Sequence, residues 1–502
     1  MSKARYRHAR PSESAASLRQ RLARVDAAAD VLHAQLADLA KQRRDIVAKL
    51  RRVRYTEILS FPRELLGEIF MHCVEDLYIA NNRSDSRKNE MTLVLASVCS
   101  EWRAVALALA PIWSKLCIGD AIPATGDRLR SILERSRGHA LEITAKGPPP
   151  TELVEHSNRW STFDTYVEDF VLSPQSFAAL RGRVASLGTL GLDTDLHRGQ
   201  LETMAPITVF ANTPSLRRVC VVGLGPRNLH IPWHQITTFK CTGGLNLLPF
   251  YEVLRAMPQV EDLDVYVTTY LPEGSVHDPT RPHPLTLLHL HTLRIENSDE
   301  SELTWVNELS APALTRLILF DFDSDDEILM RDFVTRSKCA LESLHTERVH
   351  DVRALCQFLA SAVSQTLEEL KVSLGLSNTF ACVIASEILS GWGIAMPALR
   401  RLHLQLSGTS PSGLHAHLLR FLTKRPDSEG ASAVHDKRPN NLTEIYFGLS
   451  SDVGASKAYE ELRKLAAAGG SDCAFSIVGA PNRDVKSEQL QFPHGSLSDR
   501  EL

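Results

Sequence analysis

The side chains able to do chemistry are present in this chain but spaced badly for it. The densest acidic run, Asp321, Asp323, Asp325, Asp326 and Glu327, begins like a calcium loop, yet its sixth position is not glycine and its twelfth, Asp332, is not the closing glutamate. His289 and His291 stand two apart, which on a strand turns both to one side, but no cysteine or third ligand lies near them. The Gly-Leu-Gly-Pro stretch at 223–226 lacks the third glycine and the long following helix of a nucleotide fingerprint. No phosphate-binding loop, nucleophile elbow, zinc-protease motif or Cys/His zinc spacing occurs. The expectation is no catalytic residue, no metal and no cofactor: a protein that binds another macromolecule, not a small-molecule substrate.

Length and composition agree with a multi-domain binding protein. The 502 residues are 43% hydrophobic and 23% charged, ordinary globular values, with room for two to four domains. The formal net charge of −4 is unevenly spread: residues 1–57 carry 14 Lys+Arg against 6 Asp+Glu, and only that leading segment is basic. Nine scattered cysteines with no CxxC pair read as reduced, hence a cytoplasmic or nuclear location. The longest apolar run, 104–113, is far short of the ~20 residues that span a bilayer, so no membrane contact is expected.

Three zones position these residues. The first is a helical pattern over 14–55, behind a basic, disordered 1–13 tail. Leu18, Val25, Leu32, Leu39, Ile46 and Val53 fall on d positions of a heptad, and Leu22, Ala29, Leu36, Arg43 and Leu50 on a positions. Such a seam needs a covering surface: a partner helix, a second copy in a homodimer, or the protein's own body. Arg43 at an a position weakens the seam and can set its register. The flanking basic residues suit a nuclear-import address, nucleic acid, or simple solvation.

The second zone, 56–118, packs two or three short helices. ILSFPRELLGEIF at 58–70 places Pro62 at a helix start, with Leu65, Leu66, Ile69 and Phe70 on one face. After a polar stretch, a second pattern runs from residue 93 through Ser97, Val98, Cys99, Trp102, Arg103 and Ala106 to Trp113. A unit of ~60 residues has too little interior to cover so many large apolar groups, so some stay exposed until a partner arrives.

This combination, with Leu59 and Glu64, resembles an F-box, and the match covers about 12% of the chain. The resemblance implies docking of the Skp adaptor of a cullin-based ubiquitin ligase through Leu59, Pro62, Leu65, Leu66, Ile69, Phe70, Val98, Cys99 and Trp102. Phe61 stands where the family usually has leucine, and the 75–92 link is longer and more polar than is typical.

The third zone, about 125–480, repeats a Leu-x-x-Leu-x-Leu-like signature starting at 187, 216, 236, 260, 290, 314, 341, 367, 399 and 442. The last two apolar positions are two apart and share one face of a strand. Helical patterns at 250–257, 328–334, 354–363 and 418–423 lie between strands, and Pro214, Pro258, Pro312 and Pro397 precede them. The buried turn residue of regular repeats is missing at Ser298, Phe322 and Gly375, so uneven turns are expected. The fold class is therefore an all-α N-terminal part, coiled-coil helix plus F-box helices, followed by an α/β solenoid resembling irregular leucine-rich repeats. A disordered 481–502 tail ends the chain.

Outward strand residues, among them Arg218, Arg294, Arg316, Lys371 and Arg401, are the expected contacts for a target protein. The resemblance implies a substrate-recognition subunit, partnered by the Skp adaptor and cullin core. An F-box scaffold outside any ligase, or a chromatin adaptor using the basic N-terminus, are the alternatives.

Overall fold

The computed structural model describes residues 15–54, 61–80, 87–118, 126–147, 149–167, 177–194, 205–222, 224–241, 247–267, 285–297, 303–361, 365–374, 396, 398–406, 444–449 and 474–479. Both expected tails, Leu59, and the helical pattern at 418–423 lie outside them.

The chain opens with one 40-residue helix, α1 (Ala15–Arg54). No proline or glycine interrupts it, and Ala recurs through its length, which favours unbroken helix. Its seam is bare: Leu18, Leu22, Val25, Leu32, Leu36, Leu39 and Ile46 are each at least half exposed. Leu50 continues the helix at the next a position.

Three helices follow: α2 (Arg63–Ala80), α3 (Arg87–Ser97) and α4 (Ser100–Ala108). Pro62 sits just before α2 rather than in its first turn, and its carbonyl accepts the first helical bond from Leu66 N–H at 3.1 Å. The second helical pattern divides at Cys99, whose extended backbone breaks the helix and whose Sγ accepts from Trp102 N–H at 3.4 Å, capping α4.

Beyond them the chain lays down strands that join, in chain order, a 14-stranded sheet in which every pair is parallel. The first six are β1 (Lys115–Ile118), β2 (Leu141–Lys146), β3 (Trp160–Val167), β4 (Thr189–Thr194), β5 (Arg218–Val221) and β6 (Thr238–Cys241). Next come β7 (Asp262–Val267), β8 (Leu285–Thr286), β9 (Thr292–Asn297), β10 (Leu309–Ser310) and β11 (Arg316–Phe320). The last are β12 (Ser343–Glu347), β13 (Glu369–Leu374), β14 (Arg401–Leu406), β15 (Glu444–Leu449) and β16 (Ala474–Gly479). Only β8 and β10 stand aside, as a small parallel pair of their own. A parallel sheet that advances one strand per turn of chain, without reversing order, is a solenoid.

All ten signatures begin two residues before a strand. Their first residues, from Leu187 through Leu216, Ile236, Val260, Leu290, Leu314, Leu341 and Leu367 to Leu399, are completely buried. The next inward positions stack in register: Leu190, Val219, Phe239, Leu263, Leu293, Leu317, Leu344, Leu370 and Leu402. Three earlier rungs depart from the signature. Strand β1 is entered from Trp113, β3 begins at Trp160, and β2 turns Leu141, Ile143 and Ala145 inward, all buried.

The expected helices at 250–257, 328–334 and 354–363 appear as α5 (Leu247–Ala256), α6 (Ser324–Ser337) and α7 (Val352–Ala360). The first rungs also return through helices, Asp127–Arg135 and Thr151–Val154, whereas the short repeat from 216 to 236 returns through the single 3₁₀ turn Trp233–Gln235. Asp321 and Arg348, each directly after a strand, adopt left-handed backbone (φ 57° and 52°), and Phe322 is buried against Phe358 at a ring distance of 6.0 Å; Ser298 and Gly375 lie outside the described residues.

Two inward positions among the described residues are polar. On β3, Thr165 Oγ1–H donates to the Gly147 carbonyl at 3.0 Å. Thr346, fully buried on β12 between Leu319 and Val372, carries a hydroxyl with no hydrogen-bond partner among the described residues. Thr346→Val replaces that hydroxyl with a methyl of the same shape, and urea unfolding should show a gain of roughly 1 kcal/mol. A loss would show that the hydroxyl is satisfied.

Candidate functional site

Two surfaces carry the residues singled out above. The first lies on α2, α3 and α4. Arg63 Nε donates to Glu101 Oε1 at 2.9 Å, pinning the start of α2 to α4, and the Phe70 and Trp102 rings pack at 5.0 Å. Around this seam the apolar side chains divide. Leu66 and Phe70 are sealed inside, with Val74, Leu95 and Val105, and belong to the core. Of the residues expected to meet the adaptor, these two are therefore already buried within the described chain.

Pro62, Leu65 and Phe61 are exposed, as is Val94 on α3; Leu65 remains 53% accessible. Ile69, Val98, Cys99 and Trp102 are half-buried. The Cys99 thiol also holds the α4 cap, a structural duty that spacing did not disclose. Exposed Phe61 and Val94 were missed because neither continues the helical stripe that drew attention to Leu65.

Beneath this face the helices join the solenoid without a break. Trp113 is buried, its Nε1–H donates to the Ala106 carbonyl at 2.7 Å, and Arg135 lies over its ring at 4.8 Å. Thr92 Oγ1–H donates to the Ile112 carbonyl at 3.3 Å. One continuous apolar core runs from Leu66 into the strands.

The second surface is the open face of the sheet. In-register pairing lines up a row along the middle of the strands: Lys240, Asp264, Arg294, Ile318, His345, Lys371, His403 and Tyr446. Arg294 and Lys371 belong to this row, whereas Arg218, Arg316 and Arg401 lie on the neighbouring row, at the strand starts. The five expected contacts therefore share a face but do not form one patch.

Opposite charges alternate along it. Asp264 accepts Lys240 at 2.7 Å and faces Arg294 at 3.6 Å, while the Arg294 guanidinium lies 4.5 Å from the Phe320 ring centre. Glu369 is buried between Lys371 (3.2 Å) and Arg401 (3.5 Å), with Ser343 donating to it at 3.3 Å. Burial disfavours the Glu369 charge, but those two cations outweigh it and hold the carboxyl below its usual range. His403 stacks on Tyr446 at 5.4 Å.

His345 is the most perturbed member of the row. Desolvation first, then the Lys371 and Arg294 charges, push its imidazole down to about 4, so its 3.4 Å contact with Glu347 joins a neutral ring to the carboxyl. Burial raises Glu347 as well.

The acidic run at 321–327 is put to structural use. Asp323 caps α6, accepting from Asp325 and Asp326 N–H at 2.9 and 3.1 Å, and Asp326 reaches back to Asp323 N–H at 3.3 Å. Asp321 receives Arg348 at 2.5 Å and His350 at 3.3 Å. No group of three or more His, Cys, Asp or Glu among the described residues is arranged to hold a metal. Likewise, no described helix is long and apolar enough to cross a membrane.

Fold and surfaces together define a long exposed helix and a helical cap built onto a parallel-sheet repeat solenoid. Comparison with protein-family models and with curated proteins finds no match for this chain.

Two titrations follow, with opposite signs. Burial and then Asp323 raise Asp326 to about 7, above its unfolded value of about 3.9, so its contribution is fully present below pH ~4 and fades as pH rises through ~7. Asp326→Asn should therefore be more stable than wild type at pH 8, by roughly 2 kcal/mol, with the advantage gone near pH 4; thermal unfolding across pH measures it. His345 is depressed, so its contribution is present above its unfolded value of ~6.5 and fades as pH falls toward 4. Histidine ¹³Cε1 resonances, assigned with His345→Gln, should show one imidazole still neutral at pH 5.5; a midpoint near 6.5 contradicts the burial argument.

Proposed function

We propose that α2–α4 form an F-box-like docking module for the Skp adaptor of a cullin-based ubiquitin ligase, and that the solenoid's open face holds the target protein. The observation that carries this reading is the division of apolar side chains on α2. Leu66 and Phe70 already complete the core, yet Phe61, Pro62 and Leu65 remain outside, as does Val94 on α3. Uncovered side chains of that size, next to a well-filled core, favour a partner surface over incomplete folding. The F-box resemblance at Glu64, Ser97, Cys99, Trp102 and Arg103 supplies the partner's identity.

The chain would contribute no catalytic group. It would act by proximity, raising the effective concentration of a bound target near the ubiquitin-charged enzyme. On the solenoid side, the paired charges of the middle and neighbouring rows favour a target of matching shape and mixed charge over a uniformly acidic one.

Leu65→Asp combined with Pro62→Ala leaves the core residues untouched and puts a charge on the docking face. Adaptor affinity of the purified full chain should fall by roughly tenfold to a hundredfold, in line with the ~1.5–3 kcal/mol of a buried leucine, while circular dichroism stays unchanged. Equal adaptor binding by both proteins, or none by wild type, refutes the docking role. Recovery of adaptor without cullin from cells points to a scaffold outside the ligase.

A further inference from the structure

The seam of α1 is the largest uncovered apolar surface in the described chain, and its charges say what covers it. The helix is about 60 Å long, and its large apolar seam residues are 50–64% exposed from Leu18 to Ile46. No described part of the chain shields them.

In a two-stranded coil the long side chain at an a position reaches across to the flank of the facing helix. In a parallel pair that flank is the g row, and in an antiparallel pair it is the e row. Here the g row reads Arg21, Ala28, Gln35, Gln42 and Lys49, with no acid anywhere. A parallel homodimer would also set Arg43 directly against its own copy, two like charges inside the seam.

The e row reads Arg19, Asp26, His33, Ala40, Val47 and Arg54, and Asp26 is its one acid. Antiparallel pairing that matches Leu18 with Leu50 of the second copy brings every layer into an apolar pair except one. Leu22 meets Ile46, Ala29 meets Leu39, and Leu32 meets Leu36. The exception is Arg43 opposite Val25, which places the guanidinium beside Asp26 of the second copy, twice per dimer. A slip of one heptad puts His33 there instead and leaves Leu18 without a partner.

We propose that the chain forms an antiparallel homodimer through α1, with Leu18 facing Leu50 and Arg43 paired with Asp26 of the second copy. The seam residues supply the affinity, and the Arg43–Asp26 pair selects orientation and register. Two solenoids would then be carried from opposite ends of the coil, and this holds whether or not α2–α4 dock the adaptor.

Sedimentation of the full-length protein at micromolar concentration, with exchanged charges, tests it. Arg43→Glu alone and Asp26→Arg alone should each weaken the dimer at least tenfold, and the double exchange should restore it. A photoreactive benzoylphenylalanine replacing Leu18, in mixed ¹⁴N and ¹⁵N chains, should yield inter-chain adducts near residue 50. A monomer at all concentrations, adducts near residue 18, adducts within one chain, or no rescue by the double exchange overturns the proposal.

Discussion

The structure rests on a stacking constraint: the parallel strands pair with those before them, so the rungs must fill the same three inward positions, with apolar side chains nearly everywhere and a buried threonine at Thr165 and Thr346. A rung cannot bury its own leucines, because the surface that covers them belongs to the next rung. Leu290, Leu293 and Ile295 are dry only because the rungs before and after press on them. At roughly 1.5–3 kcal/mol for each fully buried side chain, three positions per rung dominate what any single surface ion pair contributes. The sheet tolerates large variation in what lies between strands, from a 14-residue helix to one 3₁₀ turn, because the return path does not enter the stack.

That constraint explains which parts of the fold were legible in the sequence. Ten of the fourteen rungs were visible because mostly large apolar residues occupy fixed offsets there, and β16, which carries no such signature, was not. The first three were invisible for a chemical reason: Trp113 and Trp160 fill the leading position at β1 and β3, and β2 has a register shift at Leu141 and Glu142. The pattern Trp-x-x-apolar-x-x is the same volume rule written with a larger residue, and a search admitting tryptophan would have found it. Trp113 was instead read only as the end of the helical segment, though its indole is where the solenoid starts. Periodicity selected the α2 stripe but not its orientation, because Leu65 and Leu66 differ by one helical step and only the neighbouring helices decide which turns inward.

The open face was legible as a surface but not as an electrostatic object. Strand alternation identifies Arg294, Lys371 and Arg401 as outward, yet it says nothing about what stands on adjacent strands. In-register pairing across 20 or more residues of chain brings Asp264 to Arg294 and Glu369 to Arg401, while Lys371 reaches Glu369 from two residues along the same strand. Cations that read as a positive stripe are thereby largely neutralised. Glu369 is buried deeply enough that removing a single cation would strand its charge, so substitutions there report on folding as well as on contact.

The junction at Trp113 bears on how such a molecule acts. A docking module joined by a flexible linker delivers its cargo to a cloud of positions, and effective concentration falls as the linker lengthens. Here α4 leads through Trp113 into β1, the indole bonds back to Ala106, and Arg135 from the next rung closes over it. The helical cap and the first strands therefore move as one packed body, with a shared apolar core in place of a hinge. Under the proposed function, a target held on the open face would be presented at a distance and direction fixed by the number of rungs between it and the cap. In a proximity mechanism that makes the rung at which a target binds, and not only its affinity, a determinant of the outcome.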